Sequence, residues 1–347
     1  MNTISIDSLK VRIAIEKVTV LDEAIFGSKM IVDSMTGHVE SEYDQKRFRH
    51  KYDGITTSFG IESQVTSNQK VKEFLVVLFN SKLLHENYFD GIQEKNIKKV
   101  YDRIMSLGKV EFSFDAFMDG EATDVDYKWD TENDNFEKSL KMLHRHAKLS
   151  KKIGIGCNVF SGRLNKGIEF GKRETASPST PFLKFYHKGL ELINSSTMFY
   201  RKYIKGLNMN VNNLVRCETT IKNKKHYRRH GIEDTRLRSI VSLGQEVLQG
   251  IASAAIKAHL EPRIMPISTP SNMTPNDTLK FNIITLLMGQ GMSYNLIRET
   301  LVQNVDKVAK SRLRGKLDAI YENAIKGSEP DSISQKQSQF FESVGWT

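Results

Sequence analysis

The chain has 347 residues but only two cysteines, Cys157 and Cys217. So few cysteines argue against a disulfide framework, exclude a zinc site built from cysteines, and fit a reducing cytoplasm. No apolar run reaches the roughly 18 residues that a membrane-spanning helix needs. The start of the chain also lacks the basic and apolar segments of a secretory signal. We therefore expect a soluble, cytoplasmic protein with no membrane partner.

A phosphate-binding loop is also missing, because no Lys-Ser or Lys-Thr pair follows the glycines at 154 and 156. Charged residues, in contrast, are numerous. The chain contains 51 Lys and Arg and 41 Asp and Glu, which gives a formal net charge of +10. This surplus suits a polyanionic partner such as nucleic acid or an anionic surface. The charged residues are mainly basic between positions 201 and 240 and mainly acidic between positions 111 and 135. A solvated face would explain the basic block equally well, so charge alone leaves the partner open.

Apolar residues alternate with polar ones in several segments, which is typical of half-buried strands. Other segments repeat apolar residues at helical spacing. Together they predict an α+β fold with a central antiparallel sheet packed with helices. The predicted strands are 6–15, 74–79, 109–117, 167–171, 182–187 and 213–222, and the predicted helices are 92–105, a segment carrying Leu140, Leu143 and Leu149, 197–205 and 235–260.

Four of the seven prolines follow the last of these helices and indicate a linker over residues 261–276. We therefore divide the chain into a main domain of residues 1–260, this linker, a helical module of residues 277–327 and a flexible tail of residues 328–347. The module breaks at residues 289–292, and Ser293 is the expected N-cap of its second helix. This outline fits a helix-turn-helix and a plain helical hairpin equally well, while Arg312, Arg314 and nearby lysines favour DNA binding.

Three of the predicted strands carry polar residues on one face, because side chains alternate along a strand. If these strands are neighbours with their polar faces on the same side, the sheet presents a tyrosine among cations and carboxylates. The residues are Lys184, Tyr186 and Lys188 from strand 182–187 and its end, Arg216 and Glu218 from strand 213–222, and Glu111 and Asp115 from strand 109–117.

Such a set is typical of phosphodiester transesterification, in which a hydroxyl attacks phosphorus and carboxylates hold a divalent cation. Hard oxygen ligands favour Mg²⁺ or Mn²⁺. Neighbouring Lys and Arg would bind phosphates and lower the pKa of the tyrosine, which is about 10 when unperturbed. Structural tyrosines beside lysines are also common on solvent-facing strands, so alternation by itself leaves a structural role for Tyr186 open.

Three segments, in this order, resemble the core of rolling-circle replication initiators, both those of filamentous phages and the plasmid replication initiation factor family. Residues 167–174 read GIEFGKRE, residues 182–188 read FLKFYHK and residues 214–222 read LVRCETTIK. In those families a Gly-x-Arg element precedes a strand with Tyr-x-Lys, and a later strand reads Arg-x-Glu followed by basic residues. The resemblance covers about residues 167–232. No single motif is specific, but the order and spacing match.

The resemblance implies that residues 1–260 form a catalytic nicking domain with an HUH-endonuclease-like fold. Tyr186, assisted by Lys188, would nick one origin strand, keep its 5′ end as a phosphotyrosine and leave a 3′-hydroxyl for a polymerase. It would rejoin the ends at termination. The implied partners are origin DNA, both double- and single-stranded, and a host helicase and polymerase, while a homodimer is left open.

The implied metal is Mg²⁺ or Mn²⁺, and it is assigned to carboxylates. Glu218 matches the acid of Arg-x-Glu, Asp115 falls at an acidic strand position, and Glu111 shares its face. Histidine ligation is set aside, because the His-x-His sequence at residues 144–146 lies in a predicted helix with an arginine between. DNA contacts are assigned to Arg173, Lys184, Arg216, Lys222, Arg312 and Arg314.

Other assignments stay open. An initiator that binds and bends its origin without cutting is the alternative function, whereas a tyrosine recombinase would need a mostly helical fold. Second nucleophiles are conceivable at Tyr127, Tyr200 and Tyr203, although core or helix-surface roles are favoured for all three. A solvated loop, rather than a further metal ligand, is favoured for Asp119, Glu121, Asp124 and Asp126.

Overall fold

The computed structural model describes residues 3–22, 28–32, 39–44, 48–65, 69, 71–149, 157–207, 209–260, 273–290, 292 and 294–325. The predicted tail at 328–347, most of the predicted linker and the predicted N-cap Ser293 therefore lie outside the described residues.

Nine of the described strands form one antiparallel sheet, and helices pack against it, which confirms the predicted α+β class. In spatial order they are β10 (Cys157–Ser161), β11 (Lys166–Phe170), β12 (Phe182–His187), β13 (Leu214–Ile221), β9 (Glu121–Glu132), β1 (Ser5–Ala14), β7 (Val71–Asn80), β6 (Ile55–Val65) and β5 (Phe48–Tyr52). Two separate pairs join β2 (Thr19–Val20) to β8 (Val110–Glu111) and β3 (Ser28–Val32) to β4 (Val39–Asp44).

Eight α-helices are described in the same part of the chain. They are α1 (Ile97–Met105), α2 (Phe114–Met118), α3 (Phe136–Leu149), α4 (Lys188–Leu190), α5 (Thr197–Phe199), α6 (Lys224–Arg228), α7 (Leu237–Val241) and α8 (Gln245–Leu260). Segments of 3-10 or π geometry cover Ile15–Lys17, Ser81–Asp90, Arg173–Thr175, Glu191–Ser195 and Tyr200–Ile204. The helix predicted over 235–260 is thus two helices, and Gly244, a poor helix former, lies between them.

The predicted alternation of β1 is confirmed, because Leu9, Val11 and Ile13 are all buried. Large side chains such as Trp129 and Phe185 fill the same core. Burying an apolar side chain of this kind stabilises the fold by roughly 1.5–3 kcal/mol. The apolar face of the sheet therefore provides the rigid support on which the polar face is displayed.

The segment 109–117 is not the strand that its alternation predicts. Only Val110 and Glu111 of this segment form a strand, and they pair with β2 rather than with the nine-stranded sheet. Ser113 Oγ accepts the Ala116 N–H at 3.0 Å and so begins α2. A capped helix turn outweighs the alternation, since Phe112 and Phe117 are buried all the same. The solvated loop expected around Glu121, by contrast, is strand β9.

The described C-terminal residues form three helices, α9 (Pro275–Gly289), α10 (Tyr294–Leu301) and α11 (Lys307–Ala324). They share a hydrophobic core of their own, which includes Phe281, Met288, Ile297 and Leu317. Thr274 and Asp306 cap the first and third helices. The helices are therefore as predicted, and the choice between a helix-turn-helix and a helical hairpin stays a prediction. None of the helices described is long and apolar enough to cross a membrane.

Candidate active site on the polar face of the sheet

The two strands that carry the sequence motifs are neighbours, as predicted. In the antiparallel register Lys184 of β12 lies opposite Glu218 of β13, and Tyr186 lies opposite Arg216. The other neighbour of β13 is β9, where Arg216 lies opposite Asp130 and Glu218 opposite Lys128. The polar side chains of three adjacent strands therefore come together, but the third strand is β9 and not the segment that contains Asp115.

The hydroxyl of Tyr186 lies between a carboxylate and an ammonium group. It donates a hydrogen bond of 2.6 Å to Oε1 of Glu218, and it accepts one of 3.3 Å from Nζ of Lys188. The Nζ atom of Lys184 lies 4.8 Å from the centre of the tyrosine ring. Tyr186 is 5% exposed. Its oxygen is thus held by a proton acceptor on one side and a cation on the other.

A cavity of about 310 Å³ opens beside this hydroxyl. Its volume lies within the range of small-ligand pockets and suits part of a nucleotide chain. Besides Tyr186 and Glu218, it is lined by Asp7, Lys82, Tyr88, Lys184, Lys188 and Glu191. The wall is therefore rich in lysines that can bind phosphate and in carboxylates that can accept protons.

Burial, reinforced by the nearby charge of Asp7, raises the pKa of Glu218 to about 7. The carboxyl can therefore bind and release a proton near neutral pH. Burial and the charge of Glu218 also raise the pKa of Tyr186 well above its usual value. This is opposite to the direction predicted from the neighbouring cations, because removing the hydroxyl from water outweighs the effect of Arg216.

Arg216 is fully buried and links β13 to side chains of β9, of β1 and of the turn after β7. Its Nε and Nη2 atoms bond to the two oxygens of Asp130 at 2.6 and 2.9 Å. Its Nη1 atom contacts Asp7 at 2.7 Å and the hydroxyl of Tyr88 at 2.6 Å. Although burial opposes the effect, the charge of Arg216 lowers the pKa of Asp7 and of Asp130. The DNA contact assigned to Arg216 from the sequence is therefore wrong in this structure.

A continuous chain of contacts leads from Tyr186 to Lys82. Lys188, which bonds to the tyrosine, is ion-paired with Oε2 of Glu191 at 2.6 Å. The other carboxylate oxygen of Glu191 accepts a hydrogen bond of 2.5 Å from Ser196 Oγ, and Lys82 Nζ bonds to that hydroxyl at 2.8 Å. These contacts order one wall of the cavity.

The three predicted metal ligands do not come together. The side chain of Asp115 is 90% exposed on α2, with Arg238 at 4.0 Å, and Glu111 is exposed in β8. Only Glu218 lines the cavity. Among the described residues, no group of three or more His, Cys, Asp and Glu side chains is arranged to hold a metal ion. The residues present do not fit the predicted site, and Mg²⁺ or Mn²⁺ stays a prediction.

The remaining cations assigned to DNA are partly exposed, and most are ion-paired. Arg173 contacts Asp126 at 2.9 Å and Asp124 at 3.1 Å, and Lys222 contacts Asp124 at 2.8 Å. Lys184 pairs with Glu169 at 3.0 Å. In the C-terminal helices Arg314 bonds to Glu299 at 3.0 Å, whereas Arg312 is exposed. Only Lys184 of this set lines the cavity beside Tyr186.

The other tyrosines considered as nucleophiles lack this setting. Tyr127 is fully buried, and its hydroxyl lies 3.3 Å from that of Tyr227. Tyr203 donates a hydrogen bond of 3.0 Å to Asp53. Tyr200 begins the π turn that contains Tyr203. None of the three lines the cavity beside Tyr186, in agreement with the core and helix roles expected for them.

Sequence reasoning missed Asp7, Lys82, Tyr88 and Glu191. Strict alternation would place Asp7 on the core face with Leu9, but the pairing of β1 with β9 shifts register on both sides of Ser8. A β-bulge of this kind redirects side chains, and no residue type in the segment announces it. The other three belong to irregular turns after β7 and α4, for which periodicity gives no signal.

No family model matches the chain, and no curated protein matches it. A similar solved structure is that of a rolling circle replication initiator protein from Geobacillus stearothermophilus. It shares 12% sequence identity with a TM-score of 0.31, and the match covers 75% of this chain and 86% of that chain. A TM-score of this size does not support a functional assignment. The function proposed below rests on the geometry of the site.

Proposed function

We propose that this protein is a rolling-circle replication initiator that nicks one strand of its origin DNA with Tyr186 as the nucleophile. The observation that carries the proposal is the 2.6 Å hydrogen bond from the Tyr186 hydroxyl to Glu218 inside a cavity lined by lysines. A nucleophile bonded to a base, beside groups that bind phosphate, is the arrangement needed for transesterification. The order of the Gly-x-Arg, Tyr-x-Lys and Arg-x-Glu motifs agrees with it.

Glu218 acts as the general base in this proposal. A tyrosine whose pKa is raised by burial does not ionise by itself at neutral pH. A carboxylate with a pKa of about 7, placed 2.6 Å from the hydroxyl, accepts the proton as the oxygen attacks phosphorus. The role predicted for Glu218 from the sequence, a metal ligand, is therefore replaced by a proton acceptor.

Lys188 and Lys184 stabilise the charge on phosphate oxygens. Lys188 is 3.3 Å from the attacking oxygen and is oriented by its ion pair with Glu191. Lys184 lies over the ring of Tyr186 and faces the same cavity. Cations fixed before the reaction stabilise charge that develops in the transition state without further reorganisation. The products are a 5′-phosphotyrosine and a free 3′-hydroxyl, and the reverse reaction rejoins the strand.

Recognition of the origin is assigned to other parts of the chain. The helices α9 to α11 have their own core and carry the exposed Arg312, so we assign duplex binding to them. The cavity beside Tyr186 then receives the exposed single strand. A host polymerase would extend the 3′-hydroxyl, after a host helicase has opened the duplex.

The experiment is incubation of the protein with a labelled single-stranded origin oligonucleotide in Mn²⁺, in Mg²⁺ and in EDTA. A denaturation-resistant adduct is expected for the wild type and none for Tyr186→Phe. Tyr52→Phe, at a tyrosine that is 58% exposed, is the matched control and should form the adduct. The burial of Tyr186 favours a second candidate, an initiator that binds its origin without cutting. That candidate is correct if the wild type binds the oligonucleotide and forms no adduct in any of the three buffers.

A further inference from the structure

We propose that Lys82 is the general acid of the cleavage step and gives a proton to the 3′-oxygen that leaves when Tyr186 attacks. This inference rests on the proposed function, since it assigns the second proton transfer of the same reaction. The sequence motifs do not include Lys82, which lies 104 positions before the tyrosine in the chain.

Lys82 differs from the other lysines of the cavity in its partner. Lys184 is ion-paired with Glu169 at 3.0 Å, and Lys188 with Glu191 at 2.6 Å. The Nζ atom of Lys82 bonds instead to a neutral hydroxyl, Ser196 Oγ, at 2.8 Å. Within the described parts of the chain no carboxylate lies at ion-pair distance from it. Its protons are therefore not committed to a fixed negative charge.

The backbone around Lys82 is fixed by the site itself. Asn80 accepts the Lys82 N–H at 3.1 Å, and the hydroxyl of Ser81 bonds to Asp7 at 2.7 Å. The centre of the Phe199 ring lies 5.4 Å from the ammonium group. These contacts fix the backbone that carries Lys82, and the hydrogen bond to Ser196 holds its ammonium group. A proton donor needs such a fixed position.

Lys82 is separated from the nucleophile by the contact chain through Ser196, Glu191 and Lys188. In a displacement at phosphorus the attacking and leaving oxygens lie roughly in line, on opposite sides of the phosphorus atom. The proton donor for the leaving oxygen must therefore stand apart from the base. Glu218 touches the tyrosine and Lys82 does not, so the two groups suit these separate tasks.

Cleavage exchanges one phosphate ester bond for another. The bond between Tyr186 Oη and phosphorus forms as the bond between phosphorus and the 3′-oxygen breaks. The tyrosine proton goes to Glu218, and a proton from Lys82 goes to the 3′-oxygen, which leaves as a hydroxyl. Rejoining the strand reverses both transfers.

The electrostatics of the cavity support the assignment. Burial, with the positive charges of Lys188 and Arg216, lowers the pKa of Lys82, although Glu191 and Asp7 oppose this effect. A lysine with a lowered pKa releases its proton to an alkoxide more readily than an exposed one does.

The test compares two oligonucleotides, one natural and one in which sulfur replaces the bridging 3′-oxygen at the cleaved phosphate. A thiolate leaves without being protonated, so it does not need a general acid. On the natural oligonucleotide, adduct formation by Lys82→Gln should be slower than that of the wild type by about 100-fold or more. On the sulfur oligonucleotide it should approach the wild-type rate.

Two further variants separate protonation from positioning. Lys184→Gln should lose activity on both oligonucleotides by the same factor, because Lys184 binds phosphate. Lys82→Arg keeps the positive charge but does not give up its proton, so it should behave like Lys82→Gln. Thermal melting and binding of the uncleaved oligonucleotide verify that each variant is folded.

Equal loss by Lys82→Gln on both oligonucleotides, or wild-type activity of Lys82→Arg on the natural one, would overturn the inference. Failure of the wild-type protein to form any adduct would overturn the proposed function instead, and the two failures are therefore distinguishable.

Discussion

The hydroxyl of Tyr186 donates a hydrogen bond of 2.6 Å to Oε1 of Glu218, although the two residues are not directly opposite each other in the sheet. Tyr186 lies opposite Arg216, and Glu218 lies opposite Lys184, so the bond is a diagonal contact between β12 and β13. Diagonal neighbours on one face are within reach of a long aromatic side chain. The antiparallel register therefore fixes the nucleophile against its proposed base.

The rate of adduct formation should depend on the ionisation of Glu218. Because its pKa is raised to about 7, the carboxyl is protonated below that pH and cannot accept the tyrosine proton. The rate should therefore rise tenfold per pH unit below about pH 7, level off above it, and fall again at the higher pH where Lys82 loses the proton that it gives to the leaving oxygen. Single-turnover reactions between about pH 5 and pH 9 measure this profile.

Glu218→Gln should slow the same reaction by about 100-fold or more and remove the inflection near pH 7. Glu73→Gln, at an exposed glutamate of β7, is the control and should retain the wild-type profile. A Glu218→Gln protein that keeps both the rate and the inflection would show that another group takes the proton.

The same residue should make the fold less stable at high pH. In the folded protein the pKa of Glu218 is about 7, whereas its ordinary value is 4.5. Between these pH values the folded state holds a proton that the unfolded state has released, so the free energy of unfolding falls as the pH rises through this window. Glu218→Gln removes this contribution. It should exceed the wild type in stability by about 1–3 kcal/mol at pH 8, with the difference vanishing near pH 4. Urea unfolding at several pH values measures it, and a constant difference would contradict the raised pKa.

Arg216 should matter for stability rather than for DNA contact. It is fully buried and bonds to Asp130 and Asp7, so Arg216→Gln removes the cation that Asp7 contacts and leaves Asp130 with Lys128 as its ion-pair partner. The expected loss is about 3–5 kcal/mol in the free energy of unfolding. Arg312→Gln, at an exposed arginine, should change stability by less than about 0.5 kcal/mol. If Arg216→Gln unfolds like the wild type and only DNA affinity falls, the structural role is wrong.

The C-terminal helices should bind duplex DNA without taking part in cleavage. Their core, with Phe281 and Leu317, is separate from that of the nine-stranded sheet. Removing residues from Asp277 onward should weaken binding of duplex origin DNA at least tenfold and leave cleavage of a single-stranded oligonucleotide within about threefold of the full chain, since the cavity is intact. Fluorescence anisotropy and single-turnover cleavage measure the two activities. Equal loss of both would place these helices within the catalytic unit.

The sequence was sufficient to predict the strands that carry Tyr186 and Glu218, because polar residues recur at every second position, from Lys184 in one and from Arg216 in the other, and the motif order aligns them. It was not sufficient to find Asp7, whose face depends on a register shift in β1 that no local pattern encodes. It misplaced Asp115, because a serine cap converts an alternating segment into a helix turn. Arg216 has the residue type and position of a phosphate ligand. Only the order of the strands, with β9 beside β13 and β1 beyond it, reveals that its partners are carboxylates.

The most direct test of the account is to map the residue that becomes attached to DNA. Wild-type protein is incubated with an origin oligonucleotide labelled on the 3′ side of the cleavage position, digested with a protease, and the labelled peptide is sequenced by mass spectrometry. The account predicts a single peptide with the 5′-phosphate on Tyr186, and no labelled peptide from Tyr186→Phe. A label on Tyr127, Tyr200 or Tyr203, or an adduct that persists in Tyr186→Phe, would contradict it.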